Sequence, residues 1–177
     1  MTHYLAYGSN LNKEQMGARC PSAYPVGTGY INGYRLMYKG SMTGAYLTIE
    51  KSKGHKVPVA VWCVSKADER SLDRYEGHPV FYYKKNVTIT VTKDDGTTEK
   101  LPCFVYIMRE DRHLALPSRH YVDVCAEGYA DFGFDIRYLD EAYGYTARTM
   151  RGCTVEWLDL THKENKNGKE KAIQQNF

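Results

Sequence analysis

Apolar positions in this chain come in short runs that alternate with polar ones and stop at glycine or proline. His3 to Tyr7 is such a run, ending at Gly8, and Asn12 to Arg19 are good helix formers halted by Pro21. The pattern predicts strand, tight turn, helix. From Tyr24 to Lys39, Gly27, Gly29 and Gly33 sit among β-branched and aromatic residues, as in strands that bend or bulge around a small barrel. Ala45 to Glu50 and Val57 to Val64 predict two further strands. Ser65-Lys66-Ala67-Asp68 predicts a helix start with a capping box, the helix running to about Tyr75. Phe81 to Thr92 and Glu99 to Met108 predict two strands, joined by a hairpin at Lys93-Asp94-Asp95-Gly96-Thr97. Pro117-Ser118 opens a helix with Tyr121, Val122, Cys125 and Tyr129 at helical spacing, and Asp135 to Tyr143 predicts the last one.

The strands are mostly consecutive and hairpin-joined. This order predicts an α+β fold, with a strongly curved, mainly antiparallel small β-barrel and a few flanking helices, over a doubly wound one. With 177 residues the chain fits one domain, expected over residues 1–150, and residues 151–177 read as a C-terminal extension. Its polar stretch from His162 to Lys171 reads as a solvated tail.

Composition narrows the function. A net charge of +3 is too small to argue for nucleic acid as a partner, and no apolar run approaches the ~20 residues that span a bilayer. Five cysteines are scattered singly, which favours neither a disulfide framework nor a metal site. With no signal peptide at the start, the expected location is the cytoplasm. No feature fixes the oligomeric state, and a homodimer stays open. The unusual number is 16 tyrosines, each a large ring whose hydroxyl needs a partner when buried.

Two segments are candidates for chemistry. In Tyr4-Leu5-Ala6-Tyr7-Gly8-Ser9-Asn10-Leu11, a glycine after a strand and before a helix can converge backbone N–H groups on a carboxylate or a carbonyl oxygen. A plain strand-to-helix turn capped by Ser9 or Asn10 would look the same. In Tyr75-Glu76-Gly77, the carboxylate stands at a helix end, where unpaired carbonyls push its pKa up toward the ~7 that suits a general base. An exposed surface Glu fits this pattern too. His78 and His120 have no accompanying nucleophile elbow, and neither a metal-ligand spacing nor a nucleotide-binding glycine motif is present. Neither a cofactor nor a metal is expected.

These segments resemble the gamma-glutamylcyclotransferase-like superfamily. Tyr7-Gly8-Ser9-Asn10-Leu11 is similar to its Y-G-S-N-L substrate-binding signature, and Tyr75-Glu76-Gly77 to the segment carrying its single catalytic acid. Pro117-Ser118-Arg119-His120-Tyr121 resembles its helix start with a substrate-contacting tyrosine. The likeness runs over about residues 3 to 145; Glu127-Gly128-Tyr129 departs from the small pair the family often has there. The resemblance implies Glu76 as catalytic acid/base and a substrate site of Tyr4, Leu5, Ala6, Tyr7, Gly8, Ser9, Asn10 and Tyr121. It implies a small-molecule γ-glutamyl amide as substrate, with 5-oxoproline and a free amine or amino acid as products. Two alternatives stay open: γ-glutamyl amines or carrier-bound γ-glutamyl groups as substrates, and a non-catalytic binding module on the same fold.

Overall fold

The computed structural model describes residues 1–40 and 43–152. Five strands close into a barrel in the order β1-β3-β2-β4-β5. They are β1 (Thr2–Ala6), β2 (Tyr24–Gly40), β3 (Ala45–Val64), β4 (Tyr82–Thr92) and β5 (Thr98–Met108). All pairings are antiparallel except β1 with β5, which run parallel through Tyr4↔Phe104 and Leu5↔Val105 and seal the barrel. Helices α1 (Lys13–Arg19), α2 (Lys66–Glu76), α3 (Arg119–Asp131) and α4 (residues 137–152) flank it. The expected α+β barrel is the fold.

The two strands expected at 45–50 and 57–64 are one continuous β3. Between them Lys51 to Lys56 is polar and largely exposed, so the apolar pattern lapses, and pairing with β2 resumes on either side of a bulge, at Tyr34↔Lys51 and Asn32↔Lys56. Of the β2 glycines, Gly33 takes φ 77° at the register shift between Asn32 and Tyr34, the bulge that bends the strand. Gly27 and Gly29 serve closure: a Cβ on them would fall 2.3 Å from the Thr92 carbonyl oxygen and 2.5 Å from that of Thr90. Bare backbone lets β2 meet β4 at Thr28↔Thr92 and Gly29↔Val91.

Val57, Val59, Ala60, Val61 and Val64 of β3 are all fully buried, one face inside the barrel and the other under helices. Each of these valines contributes roughly 1.5–3 kcal/mol by leaving water. Cys20, Cys63, Cys103 and Cys125 are free thiols in buried positions. The last helix extends well past Tyr143 and continues beyond residue 150. The polar stretch from His162 to Lys171 lies outside the described residues. Among those described, no helix is long and apolar enough to cross a membrane.

Candidate active site

The site begins where β1 leaves the barrel. Tyr7 is buried, and its hydroxyl donates to the Tyr106 carbonyl at 2.7 Å. Gly8 caps a single 3-10 turn, Ser9–Leu11, closed by the Leu11 amide on the Gly8 carbonyl at 2.9 Å. A side chain at Gly8 would be crowded: the Tyr121 hydroxyl lies 3.3 Å from where its Cβ would be. Among the described residues the amides of Gly8, Ser9 and Asn10 donate to no protein group. Asn12 then caps α1, its Oδ1 accepting from the Gln15 amide at 2.9 Å while its Nδ2 donates to Glu127 Oε2 at 2.9 Å. Behind the turn stands Gly128 of α3, where a Cβ would fall 2.6 Å from the Asn12 nitrogen and 2.7 Å from Leu11 Cβ. The Glu127-Gly128 pair therefore seats the turn on α3.

The second wall is the end of α2. Ser65 and Asp68 form the expected reciprocal capping box at its start, and Gly77 closes it in the left-handed conformation at φ 63°. The final residue, Glu76, points back at the turn: Asn10 Nδ2 donates to its Oε1 at 2.7 Å and to the Tyr4 hydroxyl at 2.8 Å. Burial pushes the Glu76 carboxyl up to about 7 from an ordinary 4.5, against the Arg19 charge and the Asn10 hydrogen bond, which pull it down. The direction matches the sequence-based expectation, but the leading cause is burial and not the helix-end carbonyls.

Tyrosines complete the walls. Tyr82 donates to the Leu47 carbonyl at 2.8 Å, and the Tyr121 hydroxyl accepts from the Leu47 amide at 3.1 Å. Burial raises Tyr4, Tyr7, Tyr82 and Tyr121 well above the usual phenol range, so these hydroxyls stay neutral. Two connected spaces result. An inner niche of about 30 Å³ is lined by Tyr4, Tyr7, Gly8, Ser9, Asn10, Glu76 and Tyr121, with Tyr82 and Tyr106. An outer chamber of about 420 Å³ shares Ser9, Glu76, Tyr82 and Tyr121 with it and adds Tyr46, Tyr75, Phe81, Arg74 and Arg112.

Most of the residues singled out from the sequence thus meet at one place. Leu5 and Ala6 do not line it: both are fully buried in the barrel wall, Leu5 facing Val61 and Val105 and Ala6 facing Ala60. Alternation along β1 turns Leu5 away from Tyr4, and Ala6, on the face of Tyr4, has no side chain long enough to reach the niche. His78 and His120 line neither space. Sequence reasoning missed Tyr82, Tyr75, Arg112 and Arg19; the tyrosine excess was a signal for the first two, and no local pattern marked the arginines. Among the described residues no group of three or more His, Cys, Asp or Glu side chains could hold a metal ion.

Residues 4–123 match the family described as Gamma-glutamyl cyclotransferase, AIG2-like. The chain belongs to that family. The match takes in the Tyr7–Asn10 turn, Glu76 and Tyr121 together. The chain is also 31% identical over 163 residues to a gamma-glutamylcyclotransferase of Bos taurus, covering 88% of this chain and 85% of the relative. To the Homo sapiens gamma-glutamylcyclotransferase it is 30% identical, with the same coverage of 88% and 85%. A solved gamma-glutamyl cyclotransferase structure, 28% identical, superposes with a TM-score of 0.67 over 80% of this chain and 85% of its own. As a family member the chain is a cyclotransferase-type enzyme.

Proposed function

We propose that the chain converts a γ-glutamyl amide into 5-oxoproline and a free amine, with Glu76 carrying the protons. The substrate's α-amine attacks its own γ-carbonyl, a C–N bond forms to close a five-membered ring, and the original C–N bond breaks. Because nucleophile and electrophile share one molecule, a folded bound conformation supplies several kcal/mol of the roughly 7–11 available to orientation. Glu76 takes the proton lost by the α-amine and returns it to the departing nitrogen, a role worth about 10²–10⁴ in rate. Three unpaired amides of the Gly8-Ser9-Asn10 turn serve either the tetrahedral oxyanion or the α-carboxylate. Tyr7 and Tyr121 orient the glutamyl part.

The observation that carries this reading is the Asn10–Glu76 hydrogen bond of 2.7 Å, which sets a carboxylate with a pKa near 7 on the cavity it shares with the turn. The test is Glu76→Gln, which keeps shape and removes proton transfer. Formation of 5-oxoproline should fall 10²-fold or more. Near-wild-type turnover would remove Glu76 from the mechanism, and 5-oxoproline binding without turnover of any amide would favour the binding module.

One observation favours an amino acid as the leaving group over an uncharged or cationic amine. Arg74 and Arg112 both line the outer chamber, which also includes Glu76. A leaving-group carboxylate would pair with a guanidinium there. With γ-glutamyl-alanine and γ-glutamyl-propylamine as paired substrates, Arg112→Met should raise KM about tenfold for the first and leave the second unchanged; equal effects on both would refute this. A reducing, cytoplasmic setting fits the four free thiols among the described residues.

A further inference from the structure

Arg19, at the end of α1, lies outside both cavities and has no carboxylate within ion-pair distance among the described residues. Its guanidinium is nonetheless held on several sides. One arm donates to Asn10 Oδ1, the other reaches Gln15 Oε1 at 3.4 Å, and the plane sits 3.5 Å from the centre of the Tyr75 ring. Tyr75 is in turn 3.3 Å from Ser9 Oγ through its hydroxyl. The result is a closed ring of contacts linking α1, the 3-10 turn and the end of α2.

The consequence lies in the chemistry of an amide. The two ends of an asparagine side chain have nearly the same shape, and buried Asn10, 3% exposed, packs equally well either way round. Arginine has only donors, so it accepts one orientation: oxygen toward Arg19, NH₂ toward Glu76 and Tyr4. The flipped amide would set its oxygen against the carboxylate and its NH₂ against the guanidinium. We propose that Arg19 is a positioning residue, which locks the Asn10 amide so that Glu76 is held through Oε1 and keeps Oε2 turned to the substrate cavity. Glu76 Oε2 has no protein partner among the described residues. Through the bridging amide the guanidinium also favours the ionised carboxylate.

This inference rests on Glu76 being the proton carrier. The groups facing Glu76 are Arg19, Asn10 and the phenols of Tyr4, Tyr7, Tyr82 and Tyr106, with Arg74 and Arg112 across the chamber. Because burial holds the phenols neutral, Arg19 is the near charge that opposes the upward push of burial on the carboxylate. The experiment is the pH profile of 5-oxoproline formation for Arg19→Met and Arg19→Lys beside Glu76→Gln. In Arg19→Met the acid limb should move up by about one pH unit or more, with kcat falling and KM nearly unchanged. Arg19→Lys keeps a donor and a charge and should bring the limb back toward wild type.

A wild-type limb and kcat in Arg19→Met, with only thermal stability lowered, would make Arg19 a brace between helices and overturn the proposal. Should Arg19→Met not fold, Tyr75→Leu frees the guanidinium from its platform and takes its place. The same upward displacement is expected, and an unmoved limb overturns the proposal. An active Glu76→Gln would sink the Glu76 reading itself. An inactive Glu76→Gln beside an unaltered Arg19→Met would sink this inference alone.

Discussion

The clearest quantitative consequence of the site is that Glu76→Gln should make the protein more stable at neutral and alkaline pH while disabling it. In the unfolded chain the carboxyl titrates near 4.5, and in the folded protein burial lifts it to about 7. Below 4.5 both states hold the proton and burial of the neutral acid is tolerated in full. Between 4.5 and 7 the unfolded chain has released its proton and the native state has not. The native state then binds more protons than the unfolded one, and stability falls as pH rises. Above 7 the folded site also ionises and the loss levels off. At 1.36 kcal/mol per pH unit of displacement, the whole step amounts to about 3 kcal/mol. Glutamine has no proton to lose, can accept the same Asn10 hydrogen bond and carries no charge to desolvate. Urea unfolding of both proteins at pH 5 and pH 8.5 isolates the effect, because groups common to the two cancel in the difference. The variant should exceed wild type by less than about 1 kcal/mol at pH 5, and its advantage should grow by about 2–3 kcal/mol at pH 8.5. An equal difference at both pH values would mean that the carboxylate is not desolvated in the folded protein, and the account of its pKa would fail.

Two further substitutions probe how the turn and the helix are held. Gly128→Ala should destabilise by about 1–3 kcal/mol and lower kcat, because the new methyl would fall 2.6 Å from the Asn12 nitrogen and push the turn off α3; wild-type melting and kinetics would show that the two segments part without strain. Ser65→Ala removes half of the capping box on α2 and should lower stability by about 1 kcal/mol with kcat little changed, measured by thermal melting and initial rates.

Which features were legible depended on whether their cause was local. The capping box at Ser65 and Asp68, the hairpin at Lys93 to Thr97 and the Ser118 helix start could be read because each is set by residues a few positions apart. The single strand behind Ala45 to Val64 was not, because β2 pairs with it on both sides of a polar bulge, at Tyr34↔Lys51 and Asn32↔Lys56, and that bulge reads as a break. Within the site, the turn and Glu76 could be named, but the causes assigned to them were incomplete. Gly8 is crowded by the Tyr121 hydroxyl and Glu76 is raised chiefly by burial, both tertiary facts. Arg19 had no signal at all: an arginine closing a short helix reads as a surface residue until α2 is folded against it.

On the proposed mechanism, the tyrosines explain why one carboxylate can serve this site without competition. A proton carrier working near neutral pH needs a pKa near 7, and in this protein burial provides it at the expense of stability. The same burial moves Tyr4, Tyr7 and Tyr82 the other way from usefulness, raising phenols that were already too weak as acids, with the charge of Glu76 adding to the effect. They cannot take the proton's place, so they are left as neutral rings with directed hydroxyls, fixed on the carbonyl of Tyr106, the amide of Asn10 and the carbonyl of Leu47. A substrate that supplies its own nucleophile needs little more than this: a shaped wall, unpaired amides and a single group able to accept and return a proton. Enclosing the acid in neutral hydroxyls supplies both the shape and the displaced pKa from one arrangement. A charged wall on the glutamyl side would have fixed the substrate more tightly and shifted the acid away from neutrality.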